Sequence, residues 1–294
     1  MKTIDYPSTY QAADEISISS QKHYVRLMRL DLIFMLIASL VVIYDIKIDS
    51  LRLWEYILTG LFLLMGLIIT IILKYRRYED FWYQGRAVAE SIKTLTWRYI
   101  TCSENFDSTL SQEKADEIFL DSIGSICKEL NDLEGELSAK ILNLPVITER
   151  MREERNKNLE DRKSLYIKYR IQDQKNWYSQ KAEYNLSKKN FWFLVIIVSQ
   201  IFGIISCVFL IKYPMSDWNL IGFFITISTS AIAWLQLKQH QELKQAYTTA
   251  TLELNLIEEK SFSIRSEEDL SRFVLDSENA ISREHTLWLA QRRK

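Results

Sequence analysis

Four blocks of hydrophobic residues without a charge interrupt an otherwise polar chain of 294 residues. Three blocks are long enough to cross the roughly 30 Å hydrocarbon core of a bilayer as helices, and they occupy residues 56–73, 191–211 and 218–237. The first block, 32–44, reaches spanning length only when it is extended to 30–48. We include it because an unpaired span would place the two long polar segments on opposite sides of the membrane. The pattern therefore predicts four membrane spans.

The four blocks pair into two hairpins, because short connections, 45–55 and 212–217, separate their members. Lysine and arginine concentrate beside the other ends of the blocks, while the connections carry few cations and several acids. An excess of lysine and arginine marks the cytoplasmic side of a membrane protein. Both termini and residues 74–189 are therefore predicted to be cytoplasmic. The flanking cations include Lys22, Arg26, Arg29, Lys74, Arg76, Arg77, Lys188, Lys189 and Lys238.

The polar segments carry apolar residues at helical spacing, as amphipathic helices do. Ser111 is the predicted N-cap of one helix, and Ser266 begins the last one. From Val146 to Phe202 the chain has no glycine or proline, so these 57 residues are predicted to form one helix of roughly 85 Å. The fold class that follows is all-α: an integral membrane protein with two transmembrane helical hairpins and long cytosolic helices in a bundle or stalk.

Composition excludes several classes of function. The 7 glycines and 3 prolines are about 3% of the chain, against about 12% in average proteins, and no glycine-rich phosphate-binding loop occurs. A net charge of −1 gives no electrostatic reason to expect nucleic acid as a partner. Three cysteines without C-x-x-C spacing and three distant histidines predict no metal site. Because no catalytic constellation stands out either, we predict that the protein is not an enzyme and has no cofactor.

Small and weakly polar residues recur along one side of the fourth predicted span, and a shorter series, Ser199, Gly203 and Ser206, lies in the third. Two interpretations of the fourth-span series stay open. Small side chains let helices pack closely, with hydroxyls bonding across the interface. Alternatively, the series lines a water-filled path in an oligomer. We term this series the small-residue face, and its members are Asn219, Gly222, Thr226, Ser230 and Ala233.

A helix rich in tryptophan and arginine is predicted after the second block, with the sequence Phe81-Trp82-Tyr83-Gln84-Gly85-Arg86-Ala87-Val88-Ala89-Glu90-Ser91-Ile92-Lys93 leading to Trp97-Arg98-Tyr99. The chain also opens with Tyr10-Gln11-Ala12-Ala13-Asp14 before the first block. Together these stretches resemble one branch of the SLATT family, two-transmembrane effector domains associated with bacterial nucleotide-signalling systems. The motif residues on this helix are Trp82, Arg86, Glu90, Lys93, Trp97 and Arg98.

The second half of the chain resembles another branch of the same family. The resemblance begins at Thr148-Glu149-Arg150-Met151-Arg152 and rests mainly on Arg170, Gln174, Trp177, Tyr178, Lys181, Glu284 and Trp288. It implies two units in tandem. The first unit is 1–147, with cytosolic helices over 74–145. The second is 148–294, with a cytosolic arm over 148–190 and cytosolic helices over 238–294.

The resemblance also implies a function. SLATT proteins are thought to be effectors in the bacterial inner membrane that open pores or perturb the membrane in nucleotide-signalled anti-phage systems that act by abortive infection. The implied partners are the lipid bilayer, further copies of the same chain, and a nucleotide second messenger or a signalling protein encoded nearby. The alternative is a membrane-anchored helical sensor or scaffold that recruits a cytosolic partner without conducting.

The predicted topology can be tested by labelling single cysteines with a membrane-impermeant reagent in intact cells. Cysteines at Ser50 and Ser216, in the two connections, are expected to react because they face the periplasm. Cysteines at Ser111 and in the C-terminal tail are expected to stay unlabelled until the cells are opened. Labelling of the Ser111 position in intact cells would contradict the assigned topology.

Overall fold

The computed structural model describes residues 5–128 and 133–292, with the side chains of residues 134 and 283–292 outside the description. Helices make up nearly all of this described part, which confirms the predicted all-α class. An isolated backbone bridge is the sole β feature found in the described ranges. The helices are α1 (Ser8–Val41), α2 (Asp49–Arg76), α3 (Tyr78–Ile100), α4 (Gln112–Lys128), α5 (Ala139–Leu142), α6 (Glu149–Arg155), α7 (Leu159–Tyr166), a π-helical turn (Ile167–Gln172), α8 (Asp173–Lys212), α9 (Ile221–Lys238), α10 (His240–Lys260) and α11 (Glu267–Arg292).

The chain divides into two compact units that alternate along the sequence. The polar unit contains Met1–Gln21, Glu79–Ala182 and Lys244–Lys294. The apolar unit contains Lys22–Tyr78 and Glu183–Leu243, and all four hydrophobic blocks fall within it. Each unit therefore draws on both halves of the chain. The predicted domain boundary between residues 147 and 148 rests on sequence resemblance and not on contacts within the fold. It stays a prediction.

The core of the polar unit is a cluster of buried apolar side chains from α1, α3 and α4. Apolar residues at helical spacing give α3 one buried side, which includes Val88, Ile92 and Tyr99. Ala13 of α1 and Phe119 of α4 belong to the same cluster, and the rings of Tyr99 and Phe119 lie 5.0 Å apart. Burial of this side, rather than helix propensity alone, stabilises α3 in the folded chain.

Two of the predicted helix starts are confirmed by their caps. The backbone N–H of Lys114 donates to Ser111 Oγ at 3.3 Å before α4. The N–H of Asp269 donates to Ser266 Oγ at 3.1 Å before α11. Each serine oxygen thus satisfies one of the backbone donors that a helix leaves free at its first turn.

The single helix predicted from Val146 to Phe202 is wrong. The segment instead forms α6, α7, the π-helical turn and α8, with a break between α6 and α7. At the break Asn158 acts as an N-cap, because its side-chain oxygen accepts the N–H of Asp161 at 2.9 Å. The absence of glycine and proline was therefore an insufficient criterion, since an asparagine cap can begin a new helix without either residue.

Two buried arginines on either side of this break explain why the chain turns there. Arg155 Nη1 donates to the carbonyl oxygens of Tyr99 and Phe106, at 2.9 and 2.8 Å. Arg162 Nη1 donates to the carbonyl oxygen of Thr101 at 2.9 Å. The Tyr99 carbonyl lies in the last turn of α3, and the Thr101 and Phe106 carbonyls follow that helix. Buried carbonyls without donors are costly. The turn at 156–158 brings both arginines onto the same loop.

Within the apolar unit, α2, α8 and α9 are long and apolar enough to cross a membrane, judged by length and composition over the described residues. These are the second, third and fourth predicted spans. In each hairpin the paired helices contact one another through aromatic rings. Phe34 of α1 lies 6.0 Å from Phe62 of α2, and Phe202 of α8 stacks on Phe224 of α9 at 5.3 Å.

The first predicted span, 30–48, is not a continuous helix, because α1 ends at Val41. The residues that follow leave the helix and pair with the other hairpin. The N–H of Asn219 donates to the carbonyl of Ile43, and the N–H of Asp45 donates to the carbonyl of Asp217, both at 2.7 Å. This short antiparallel bridge needs extended backbone, so it ends α1 early. The apolar part of α1 alone is too short to meet the length criterion for a span.

Both hairpins leave the apolar unit through a residue with left-handed backbone. Arg77 separates α2 from α3, Gln239 separates α9 from α10, and φ is 48° at each. Left-handed backbone is strained for residues other than glycine, by roughly 1–2 kcal/mol. The residue after each break contacts the helix that enters the same hairpin. These contacts are a stacked pair, His23 and Tyr78, with ring centroids 5.4 Å apart, and a 2.7 Å hydrogen bond between Asn185 Oδ1 and His240 Nδ1.

Gly85 is required where α3 crosses α1. A Cβ at this position would lie 2.9 Å from the carbonyl oxygen of Ala13 and 3.1 Å from the backbone N of Ser17. At the same crossing, Ser17 Oγ donates to the carbonyl of Trp82 at 3.1 Å. Because the atoms nearest the missing Cβ include main-chain atoms, they cannot move aside as a side chain could.

We expect Gly85→Ala to lower the free energy of unfolding by about 1–3 kcal/mol, because the added methyl group forces α1 and α3 apart. Gly124→Ala is the matched control, since that helical glycine is exposed and a Cβ there would meet nothing within 4 Å. The control is expected to stabilise α4 by about 1 kcal/mol through helix propensity. Thermal unfolding in detergent measures both changes, and equal effects of the two substitutions would contradict the proposed crossing.

Candidate functional site

The small-residue face lies on α9 except for Asn219, which precedes the helix and whose Oδ1 accepts a backbone N–H of its first turn at 3.2 Å. Gly222 is exposed, and a methyl group added there would meet no atom within 4 Å. Thr226, Ser230 and Ala233 are half-buried. The Thr226 hydroxyl donates to the carbonyl of Gly222 at 2.8 Å, within its own helix. The face is therefore not the closely packed side of α9.

The closely packed side of α9 carries Ser228 and Ala231, which are 5% and 2% exposed. On α8, the shorter series also lies on a packed side of its helix, because Ser199 and Ser206 are buried. A Cβ at Gly203 would lie 3.7 Å from a side-chain carbon of α9. Small residues in the third span thus support helix packing in one chain, as small residues do in membrane helices.

The aromatic motif residues of α3 are structural. Trp82 and Trp97 are both buried, and the ring of Trp97 meets that of Tyr166 edge-on at 5.6 Å. Arg98, next to Trp97, forms an ion pair with Glu104 at 2.5 Å. The tryptophans therefore fix α3 in the polar unit, and Arg98 binds the turn that follows it.

The charged motif residues of α3 lie beside the N-terminal part of α1. Burial lowers the pKa of the Lys93 ammonium, and Glu90, 4.0 Å away, opposes this change. Burial raises the pKa of the Asp14 carboxyl, whereas the positive charges of Lys93 and Arg86 lower it. Acids and bases thus share a partly dehydrated surface where each modifies the charge of the others.

Arg170 forms the most completely buried ion pair of the polar unit. Its Nε and Nη2 donate to Oε1 and Oε2 of Glu278 at 2.8 and 2.7 Å, and both side chains are at most 1% exposed. Tyr166 Oη donates to Oε1 at 2.9 Å, and Thr94 Oγ1 donates to Oε2 at 2.7 Å. Burial raises the pKa of the Tyr166 phenol well above its usual value, so it donates as a neutral group. Four donors thus compensate one buried carboxylate.

The π-helical turn holds Arg170 in this position, since Ile167–Gln172 widens the helix between α7 and α8. The resemblance identified Arg170, but sequence reasoning missed Glu278. The sequence does contain a signal for Glu278, because this residue falls on the buried side of α11 with Leu270, Val274 and Ile281. A carboxylate on an otherwise apolar side of a helix predicts a buried cationic partner.

The other motif residues of the second half lie on α8. The rings of Trp177 and Tyr178 lie 5.3 and 5.6 Å from that of Tyr247 on α10, and Tyr178 is buried. Lys181 Nζ lies 5.7 Å from the centre of the Trp177 ring, within range of a cation–π contact. Gln174 is half-buried. Glu284 and Trp288 fall among the side chains outside the described residues.

A cleft of about 700 Å³ opens between α10 and α11 of the polar unit. Among the side chains that the structure describes, Glu253 and Asp276 line it with one cation, Lys260. Two acids against one base disfavour the phosphates of a nucleotide, which bind to clustered cations or helix N-termini. Across the described residues there is also no group of three or more His, Cys, Asp or Glu side chains that could hold a metal ion.

Comparison with known families explains why the chain contains two hydrophobic hairpins. Residues 7–163 match the family described as SMODS and SLOG-associating 2TM effector domain 3, and residues 166–288 match SMODS and SLOG-associating 2TM effector domain 1. No curated protein and no solved structure matches the chain. The two matches are adjacent and together cover the hydrophobic hairpins and the motif helices of both halves. The chain is therefore a membrane protein of the SLATT family, with two of its effector domains in tandem.

Proposed function

We propose that this protein is an oligomeric effector of the bacterial inner membrane that permeabilises the membrane in an anti-phage system. A nucleotide second messenger, or a signalling protein encoded nearby, activates it. Support comes from the tandem match to SMODS- and SLOG-associating effector domains and from the three helices able to span a membrane. Both termini and the polar unit are cytoplasmic in this proposal.

The observation that carries the proposal is the incomplete burial of the small-residue face. α9 packs in its own chain through Ser228 and Ala231, while Gly222 stays exposed and Thr226 and Ser230 are half-buried. Hydroxyl groups and a bare glycine gain little from contact with lipid tails. Such a face is favourable where it meets another copy of the chain or water.

Several copies are needed for a conducting path. The interface between α8 and α9 is filled by side chains, including the stacked rings of Phe202 and Phe224. Four-helix assemblies of this size fill their interior with side chains rather than enclosing water. A path lined by the small-residue face therefore forms between chains, where each copy contributes one α9.

We expect Thr226→Leu and Ser230→Leu to reduce vesicle leakage by about tenfold or more while the oligomer persists in detergent, because apolar constrictions gate by dewetting. Growth arrest on expression is expected to be lost in parallel. Thr229→Leu is the matched control, since Thr229 is an exposed hydroxyl residue outside the small-residue face. Ser228 is unsuitable as a control because it is buried against neighbouring helices.

Two results would contradict this assignment. If each leucine variant loses the oligomer, the small-residue face is a packing surface between copies. If leakage is unchanged while the oligomer persists, α9 does not line the path. Dye release and ion flux from vesicles, together with size-exclusion chromatography, distinguish these outcomes.

A second candidate is a membrane-anchored scaffold that recruits a cytosolic partner. Exposed apolar side chains on the polar unit favour it: Leu252 and Leu256 lie one turn apart on α10 and are 59% and 57% exposed, and Phe262 is 74% exposed. Exposed apolar clusters of this kind mark interaction surfaces. A purified wild-type oligomer that leaves vesicles intact with every trigger tested would favour the scaffold.

A further inference from the structure

Asp31 brings a carboxylate into the apolar unit, and one of its two oxygens has no hydrogen-bond partner among the described residues. Its Oδ1 is buried and accepts no hydrogen bond from any residue that the structure describes. It fits against Gly66 of α2, where an added Cβ would lie 3.0 Å from Oδ1 and 3.2 Å from Met35 Cε. The glycine thus leaves space that this carboxylate occupies.

The register of the helices sets Asp31 level with the charge-free part of α2. Beyond Gly66, α2 stays free of charge for seven more residues, 67–73, which is roughly 10 Å of helix before Lys74. On its other side α1 runs antiparallel to α9: the guanidinium of Arg29 lies 5.4 Å from the Trp234 ring, and Ile43 bonds to Asn219. This register sets Asp31 level with the turn of α9 that carries Ser230.

Neither snorkelling nor a neighbouring cation explains this carboxylate. The side chain of aspartate is too short to reach the interface along the helix, unlike that of lysine or arginine. The residues three and four positions away on α1 are Leu27, Met28, Phe34 and Met35, all apolar. An ionisable group at membrane depth costs free energy, so its presence indicates a role in handling ions.

We propose that Asp31 is the cation-selecting residue of the path, where its carboxylate binds monovalent cations in transit. This inference rests on the proposed function, because a path must exist for selection to matter. Repeated copies would present one carboxylate per chain at the depth of Ser230, and rings of acidic side chains select cations in channels.

The test is the potassium-to-chloride permeability ratio of wild-type protein in planar bilayers under a KCl gradient. Wild type is expected to prefer potassium, and Asp31→Asn, which keeps the size of the side chain, is expected to lower the ratio by about tenfold while conductance persists. Asp49→Asn is the charge-matched control. Asp49 is exposed at the start of α2, where salt screens its charge, so the ratio is expected to change by less than about twofold.

A second pair of variants covers the case in which Asp31→Asn does not fold. Gly66→Ala is expected to displace the carboxylate and lower the ratio, whereas Gly60→Ala, where a Cβ would meet nothing within 4 Å, is expected to leave it unchanged. A wild-type path without cation preference would overturn the proposal. An unchanged ratio in a conducting Asp31→Asn variant would also overturn it.

Absence of any conductance in the wild type would refute the proposed function rather than the binding of cations. Thermal unfolding in detergent then tests Asp31 by itself. Replacing choline chloride by KCl is expected to raise the Tm of the wild type and not that of Asp31→Asn, because bound ligand stabilises the folded state. Equal Tm values in the two salts would overturn the inference.

Discussion

The buried ion pair of Arg170 and Glu278 is the interaction on which the polar unit most depends. It connects the π-helical turn to α11, and through Thr94 and Tyr166 it also connects α3 and α7. Removal of either charge would leave the other buried and uncompensated, which typically costs 3–5 kcal/mol. Thr94 lies in the region that matches one SLATT domain, while Arg170 and Glu278 lie in the region that matches the other. The hydrogen bond from Thr94 to Glu278 therefore joins the two domains within one unit.

The sequence contained enough information for the all-α class and for three helices long and apolar enough to span a membrane, because these depend on local periodicity. It did not contain the end of α1 at Val41, since that end depends on a backbone bridge to Asp217 and Asn219. It also did not predict the break before Asn158, where buried arginines satisfy carbonyls far away in sequence. In both cases the local sequence pattern predicted a longer helix, and hydrogen bonds to residues distant in sequence accompany the earlier end of that helix.

The apolar unit separates two uses of small and polar residues that sequence spacing alone could not distinguish. Small residues on α8 and on one side of α9 pack within the chain, whereas Gly222 and its neighbours on the small-residue face remain accessible. Asp31 belongs to neither group. Its carboxylate lies against Gly66, where an uncharged side chain of the same size would fill the space equally well.

A double-mutant cycle on Arg170 and Glu278 tests most directly whether this pair holds the polar unit together. The full chain is unfolded thermally in detergent as wild type, Arg170→Met, Glu278→Leu and the double variant. Each single substitution is expected to destabilise by about 3–5 kcal/mol, and the double variant by much less than their sum, because it leaves no buried charge unpaired. Additive losses, or single substitutions that change stability by less than about 0.5 kcal/mol, would contradict the account.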